Sequence, residues 1–219
     1  MNMKLQKKKI KAVIFDMDGV VADTIPAHLK SWQQLFKEKF NVRLTKKYFF
    51  EYLNARQGPD TITRVTGLNI PYSERVRLTE IKDKYSKKFL RNIKPTPGLT
   101  DFLKFLKKNK IKTAIATSAQ PHMMSFLLNK LKIKKYFDRI VTAKDIRHGK
   151  PHPDCYLLAA KKIKVRPQEA IVIEDAPLGI NAAKAGKFYK AIGITNTQPA
   201  SDLKHADLII KNFRKNFLF

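Results

Sequence analysis

The sequence predicts an α/β fold in which a parallel sheet is flanked by helices and an all-helical segment is inserted directly after the first strand. Three observations carry this. The apolar run Ala12-Val13-Ile14-Phe15 ends abruptly in two carboxylates, Asp16 and Asp18, as a strand buried on both faces does when its carboxyl end opens on a ligand site. From residue 95 onward, short runs rich in branched residues alternate with helical patterns, which is the mark of βαβ units. Between these regions, residues 25–94 show no strand alternation, and so long an excursion needs structure of its own.

Taken in order, the first strand places Asp16 and Asp18 on one side of an extended backbone, and Gly19 frees the chain to turn. A calcium loop starting at Asp16 is excluded by spacing, since Val21 falls where glycine belongs and Ala27 where the bidentate glutamate belongs. Thr24 is placed to cap the first inserted helix, with Pro26 in its opening turn. The longest inserted helix is expected over Tyr72 to Ile93, and Pro95 and Pro97 form a hinge at the return. The expected division is therefore a core of residues 1–24 and 95–219 and a helical cap of residues 25–94, lying over the carboxyl edge of the sheet. In the second half, a helix over Thr100 to Lys108 carries Phe102, Leu103, Phe105 and Leu106 on one face. Strands are expected at Thr113–Ala116, Arg139–Thr142, Ala170–Ile173 and Ala191–Ile194.

A chain of 219 residues, 43% hydrophobic, suffices for one sizeable core with a smaller insertion. No apolar run reaches membrane-spanning length, and the basic start Met1 to Lys11 leads into only four apolar residues before Asp16. Neither a signal peptide nor a span is expected. The single cysteine, Cys155, lies in an apolar helical stretch, which fits a cytoplasmic chain with an inert buried thiol. The net charge of +27 attracts polyanions. Its lysines are nevertheless spread over nearly every segment, and no nucleic-acid-binding motif accompanies them, so a solvated lysine surface is the expectation.

The remaining chemistry lies at strand ends. One of the paired acids Asp16 and Asp18 can serve as nucleophile and hard metal ligand while the other moves protons, the division that phosphoryl transfer needs. Ile115-Ala116 runs into Thr117 and Ser118, whose hydroxyls and turn amides suit phosphate oxygens. Lys150 sits in Gly149-Lys150-Pro151-His152-Pro153-Asp154, stiffened by two prolines, with Asp154 placed to cap the next helix. Ile171-Val172-Ile173 ends in Glu174 and Asp175, a second acid pair of the kind that completes a Mg²⁺ site.

In this order, these four signals resemble the haloacid dehalogenase-like phosphohydrolases, over nearly the whole chain: Asp16-Met17-Asp18-Gly19-Val20, Ile115-Ala116-Thr117-Ser118, Gly149-Lys150-Pro151-His152-Pro153-Asp154 and Ile173-Glu174-Asp175-Ala176-Pro177-Leu178-Gly179. The resemblance implies a Rossmann-like core with a small helical lid. Asp23-Thr24 followed by His28 is similar to the group that contains β-phosphoglucomutase and sugar phosphatases. It further implies that Asp16 forms an aspartyl-phosphate. Asp18 would protonate the leaving oxygen, later activate water, and offer its backbone carbonyl to Mg²⁺. Thr117 and Lys150 would bind the phosphoryl group, with Ser118 beside them, and Asp175, with Glu174 nearby or directly ligating, would complete the magnesium site. His28 matches a cap histidine of the group, and Arg56 sits on a cap loop where it could meet substrate. The mutases carry a cap lysine four residues before the position of Tyr85; here that residue is Ile81, with Lys82 and Lys84 nearest, a departure that counts against mutase activity. The resulting expectation is a monomeric Mg²⁺-dependent phosphatase acting on small phosphorylated metabolites, sugar phosphates among them. A phosphosugar mutase is the alternative, and a nucleic-acid-binding protein on a hydrolase scaffold is a remote one.

Overall fold

The computed structural model describes residues 10–214; most of the basic start, residues 1–9, lies outside the described residues. Six strands, β1 Ala12–Phe15, β2 Lys112–Ala116, β3 Arg139–Val141, β4 Ala170–Glu174, β5 Lys190–Ile194 and β6 Leu208–Ile210, form one sheet in the order β3-β2-β1-β4-β5-β6. Every pairing is parallel. The chain leaves β1 toward β2 on one side and comes back to β4 on the other, so β1 stands at the topological switch point. Open parallel sheets bind ligands at the carboxyl end of such a point.

The strands are buried on both faces because each face has its own core. Val13, Phe15, Ile171 and Ile173 pack into one apolar cluster, with α5 (Leu99–Lys108) and α6 (Pro121–Leu131). Ala12, Ile14, Ala170 and Val172 pack into the other, with α7 (Asp154–Lys162) and α8 (Pro177–Ala185). This alternation is the period-two geometry of a strand. It fixes the register of Phe15 opposite both Ile115 and Ile173, so the residues that follow all emerge at the same edge.

Between β1 and α5 the chain forms α1 (Ile25–Phe40), a single turn α2 (Lys46–Tyr48) that continues into a π-helical turn at Phe49–Leu53, α3 (Gly58–Thr66) and α4 (Tyr72–Phe89). These helices share a separate cluster around Trp32, Leu35, Phe36, Phe49, Leu53, Ile62 and Leu78. Where the chain leaves and re-enters the sheet region it is stitched together. The Thr96 amide donates to the Val21 carbonyl at 2.9 Å, the Thr96 hydroxyl donates to the Val20 carbonyl at 2.7 Å, and Ala22 bridges Pro95.

Several local expectations differ from the fold. α4 ends at Phe89, short of Ile93, and β6 had no signal in the sequence reading. Thr24 stands at the N-cap of α1 without capping it, because its hydroxyl is engaged elsewhere. Asp154 is the first residue of α7 and does not cap it; its carboxylate faces His148 and His152. Cys155 is buried, and burial pushes its thiol up to about 12, as an inert core thiol requires. Among the described residues, no helix is long and apolar enough to cross a membrane.

Candidate active site

A cavity lies between the carboxyl ends of the strands and the inserted helices. It holds about 80 Å³ of free space, and its lining includes Asp16, Asp18, Thr117, Lys150 and Asp175 from the sheet side. From the helical side come His28, Trp32, Phe49, Asn54, Arg56 and Lys82, and the adjacent Ser118 also lines it. Since a single water needs roughly 10–15 Å³ by this measure, the space suits a phosphoryl group and a few waters.

On the sheet side the charges are buried and tightly paired. The Asp16 amide donates to the Ile173 carbonyl at 3.0 Å, which sets its side chain beside Glu174. Lys150 Nζ donates to Asp16 Oδ1 at 2.7 Å and to Glu174 Oε1 at 2.5 Å, and the aromatic face of Tyr156 lies 5.1 Å from the ammonium. Glu174 Oε1 also accepts from the Tyr156 hydroxyl at 2.7 Å, and Oε2 accepts the amides of Asp175 and Ala176. Glu174 is therefore saturated on both oxygens and acts on Lys150. It has room only because residue 179 is glycine, where a Cβ would collide with its carboxylate.

Burial raises Asp16 to about 7; Lys150 opposes this, and the like charges of Glu174 and Asp18 add to it. Burial, with Glu174 and Asp16 nearby, also holds Asp175 well above the usual carboxylate range. Despite the desolvation penalty, the carboxylates of Asp16 and Glu174 keep Lys150 charged, with its pKa raised. Two carboxylates raised by burial and by neighbouring like charge are what a divalent cation would relieve.

The donor set fits one. Carboxylate oxygens of Asp16, Glu174 and Asp175 lie within 4.8 Å of one another. Asp16 gives Oδ1 to Lys150 and Asp175 gives Oδ2 to the Thr197 hydroxyl, leaving one oxygen on each. Gly19, at φ +78°, lets the backbone pass where a Cβ would strike the Asp175 carboxylate. Few carboxylates, with water and phosphate for the rest, is magnesium's preference. Because Glu174 is already saturated, it fits as a buttress better than as a direct ligand.

Thr117 is buried, and its oxygen accepts the Ala119 amide at 3.1 Å, so the hydroxyl proton remains to be donated. The Ser118 hydroxyl donates instead to the Ala55 carbonyl at 2.9 Å. In this arrangement it latches the loop before α3 to the sheet edge.

The helical side treats Asp18 differently. Thr24 donates its hydroxyl to Asp18 Oδ1 at 2.5 Å, and His28 Nε2 lies 3.0 Å from the same oxygen. Lys82 Nζ lies 2.6 Å from His28 Nδ1. An ammonium only donates, so this network assigns Nδ1 as acceptor and Nε2 as the proton carrier facing Asp18. Burial alone would raise Asp18, but His28, Thr24 and Lys82 hold it down to about 2.

The sequence matches the family of haloacid dehalogenase-like hydrolases over residues 13–192. The chain belongs to this family. A phosphorylated carbohydrates phosphatase of Thermotoga maritima is 29% identical over 188 residues, covering 86% of this chain and 87% of the relative. A β-phosphoglucomutase of Bacillus subtilis is 30% identical, covering 92% and 89%. In fold, the chain is similar to the crystal structure of a β-phosphoglucomutase from Clostridium difficile, with a TM-score of 0.83, 30% identity and coverage of 93% and 92%.

Within this haloacid dehalogenase-like site, two residues escaped the sequence reading. Lys82, set aside there as a neighbour of Ile81, is 5% exposed and reaches the cavity. Asn54 is 6% exposed, lines the cavity, and its side-chain NH₂ has no hydrogen-bond partner among the described residues. Arg56 also lines the cavity, with Nε donating to the Tyr52 carbonyl at 2.6 Å.

Proposed function

We propose that this protein is a Mg²⁺-dependent phosphatase of small phosphorylated metabolites, sugar phosphates foremost, in which residues 25–94 act as a cap over a core of residues 1–24 and 95–219. The observation that carries the reading is the buried Lys150 ammonium shared by Asp16 and Glu174 at the switch point of the sheet. It supports a reading in which the desolvated Asp16 carboxylate is the nucleophile and the fixed Lys150 cation meets the phosphoryl oxygens.

In this mechanism the Asp16 carboxylate attacks phosphorus as the bond to the leaving alcohol oxygen breaks, giving an aspartyl-phosphate. Lys150 and the Thr117 hydroxyl hold the phosphoryl oxygens. Asp18 at about 2 is an anion, so the proton for the leaving oxygen passes through it from the His28–Lys82 pair. Asp18 then takes a proton from the water that attacks phosphorus and releases inorganic phosphate. Asp16, Asp175 and the backbone carbonyl of Asp18 would hold Mg²⁺, which when bound neutralises phosphate charge.

The names of the phosphatase relatives support the substrate class. The test is phosphate release from a panel of sugar phosphates and other small monoesters with Mg²⁺ and with a chelator. Metal-dependent release is expected, and no release from any ester would overturn the reading. A mutase remains the second reading on one observation: Lys82 supplies a buried cap cation that Ile81 does not. Conversion of glucose 1-phosphate to glucose 6-phosphate dependent on a bisphosphate primer would promote it.

A further inference from the structure

The loop that presents Lys150 has a second face. Lys150 points inward and is buried, while His148 and His152 point outward, with side chains 63% and 52% exposed. Both imidazoles converge on Asp154. His148 Nδ1 lies 3.1 Å from Asp154 Oδ2, and His152 Nδ1 lies 2.8 Å from Asp154 Oδ1. One ligand atom from each of the three residues falls within 4.8 Å of the others. The turn is held independently of these side chains: the His152 amide donates to the Gly149 carbonyl at 3.0 Å, and Pro151 and Pro153 restrict the backbone on either side of His152.

We propose that His148, His152 and Asp154 form a surface site for one borderline transition-metal ion of the Zn²⁺ class, separate from the magnesium site. Bonds of roughly 2.0–2.2 Å to a tetrahedral ion put its donor atoms about 3.3 Å apart, whereas the three donor atoms here lie within 4.8 Å of one another, so the exposed side chains must draw together to admit the ion. Two imidazoles and one carboxylate make an open three-ligand site that leaves a position for water. The donor set also decides which ion binds. Arg147 adjoins the site and the chain carries +27, so charge attraction is weak and coordination bonds must supply the affinity. Imidazole favours Zn²⁺, Ni²⁺ and Cu²⁺, whereas Mg²⁺ prefers oxygen.

Binding takes no redox step. Ligation through Nδ1 takes the imidazole tautomer whose proton sits on Nε2, so a proton held on Nδ1 moves to Nε2 or leaves to solvent. The ion would tie the two ends of the loop that holds Lys150.

The test uses untagged, chelator-stripped protein in excess Mg²⁺, with Zn²⁺ measured by equilibrium dialysis and Co²⁺ by its visible absorption. Wild type is expected to bind one Zn²⁺ that His148→Ala and His152→Ala each weaken at least about tenfold, with Mg²⁺-only phosphatase activity and fold unchanged. Asp175→Asn, which alters the magnesium site, should keep this Zn²⁺. Zn²⁺ binding equal in wild type and both histidine variants, or lost in Asp175→Asn alone, would overturn the assignment.

Discussion

Asp16 and Asp18 leave the same strand two residues apart, yet Asp16 is gathered into the sheet edge with Lys150, Glu174 and Asp175, while Asp18 is gathered into the helices with Thr24, His28 and Lys82. The first group sets one ammonium, held by Asp16 and Glu174, among three buried carboxylates, and Asp16 rises to about 7. The second surrounds one carboxylate with donors, and Asp18 falls to about 2. Opposite environments give like residues unlike work. Under the proposed function, the sheet edge would take positive charge and a phosphoryl group, and the helical side would manage a proton and meet the substrate.

The largest effect expected from breaking this contrast is at the sheet edge. Asp16→Asn should lower kcat by about 10⁴-fold or more, since loss of a nucleophile removes the whole covalent route. Steady-state phosphate release on the best ester checks it. Next comes the helical side: His28→Ala and Lys82→Ala should each lower kcat by roughly 10²–10⁴-fold, the usual range for proton-transfer groups. The double variant should be little worse than either single if the two residues form one relay, which a double-mutant cycle reads directly.

The fold was most legible where burial is complete. β1, β2, β4 and β5 lie inside the sheet, and their two-sided burial shows as apolar runs. β6 is a short edge strand with Leu208 and Ile209 exposed, too brief to stand out from a turn. The sheet-edge site was legible for the same reason, because a charge directly after a buried strand has few structural uses. The helical side was not. Of the buried residues of α4 only Leu78 is apolar; Thr79, Lys82, Asp83 and Ser86 make the rest of that face polar, a pattern that periodicity assigns to solvent. Its contacts with His28 and Trp32 from α1, far away in sequence, are what turn Lys82 inward. Thr24 was misread for a related reason: a hydroxyl before a helix suggests a cap, and nothing local reveals that Asp18 outcompetes the helix amides for it. Asn54 has no local mark at all, since its role depends on which loop closes over the cavity.

Metal affinity sharpens the comparison. A carboxylate raised to about 7 holds its proton below that pH, and Mg²⁺ must displace it, so affinity should weaken by about tenfold per pH unit from pH 7 to 5. Asp18, ionised throughout that range, should contribute nothing to the slope. Mg²⁺ activation curves at each pH measure it. The smallest effect is expected at Asn54: its unpartnered amide is placed to donate to a substrate hydroxyl, and Asn54→Ala should raise KM by roughly 2–10-fold with kcat unchanged.

The most direct test of the central claim is to quench the enzyme in acid during turnover and locate the phosphoryl group by peptide mass spectrometry. This account predicts the label on Asp16 in wild type and none in Asp16→Asn. A label on any other residue, or turnover with no phosphoenzyme under conditions where hydrolysis of the intermediate is slowed, would contradict it.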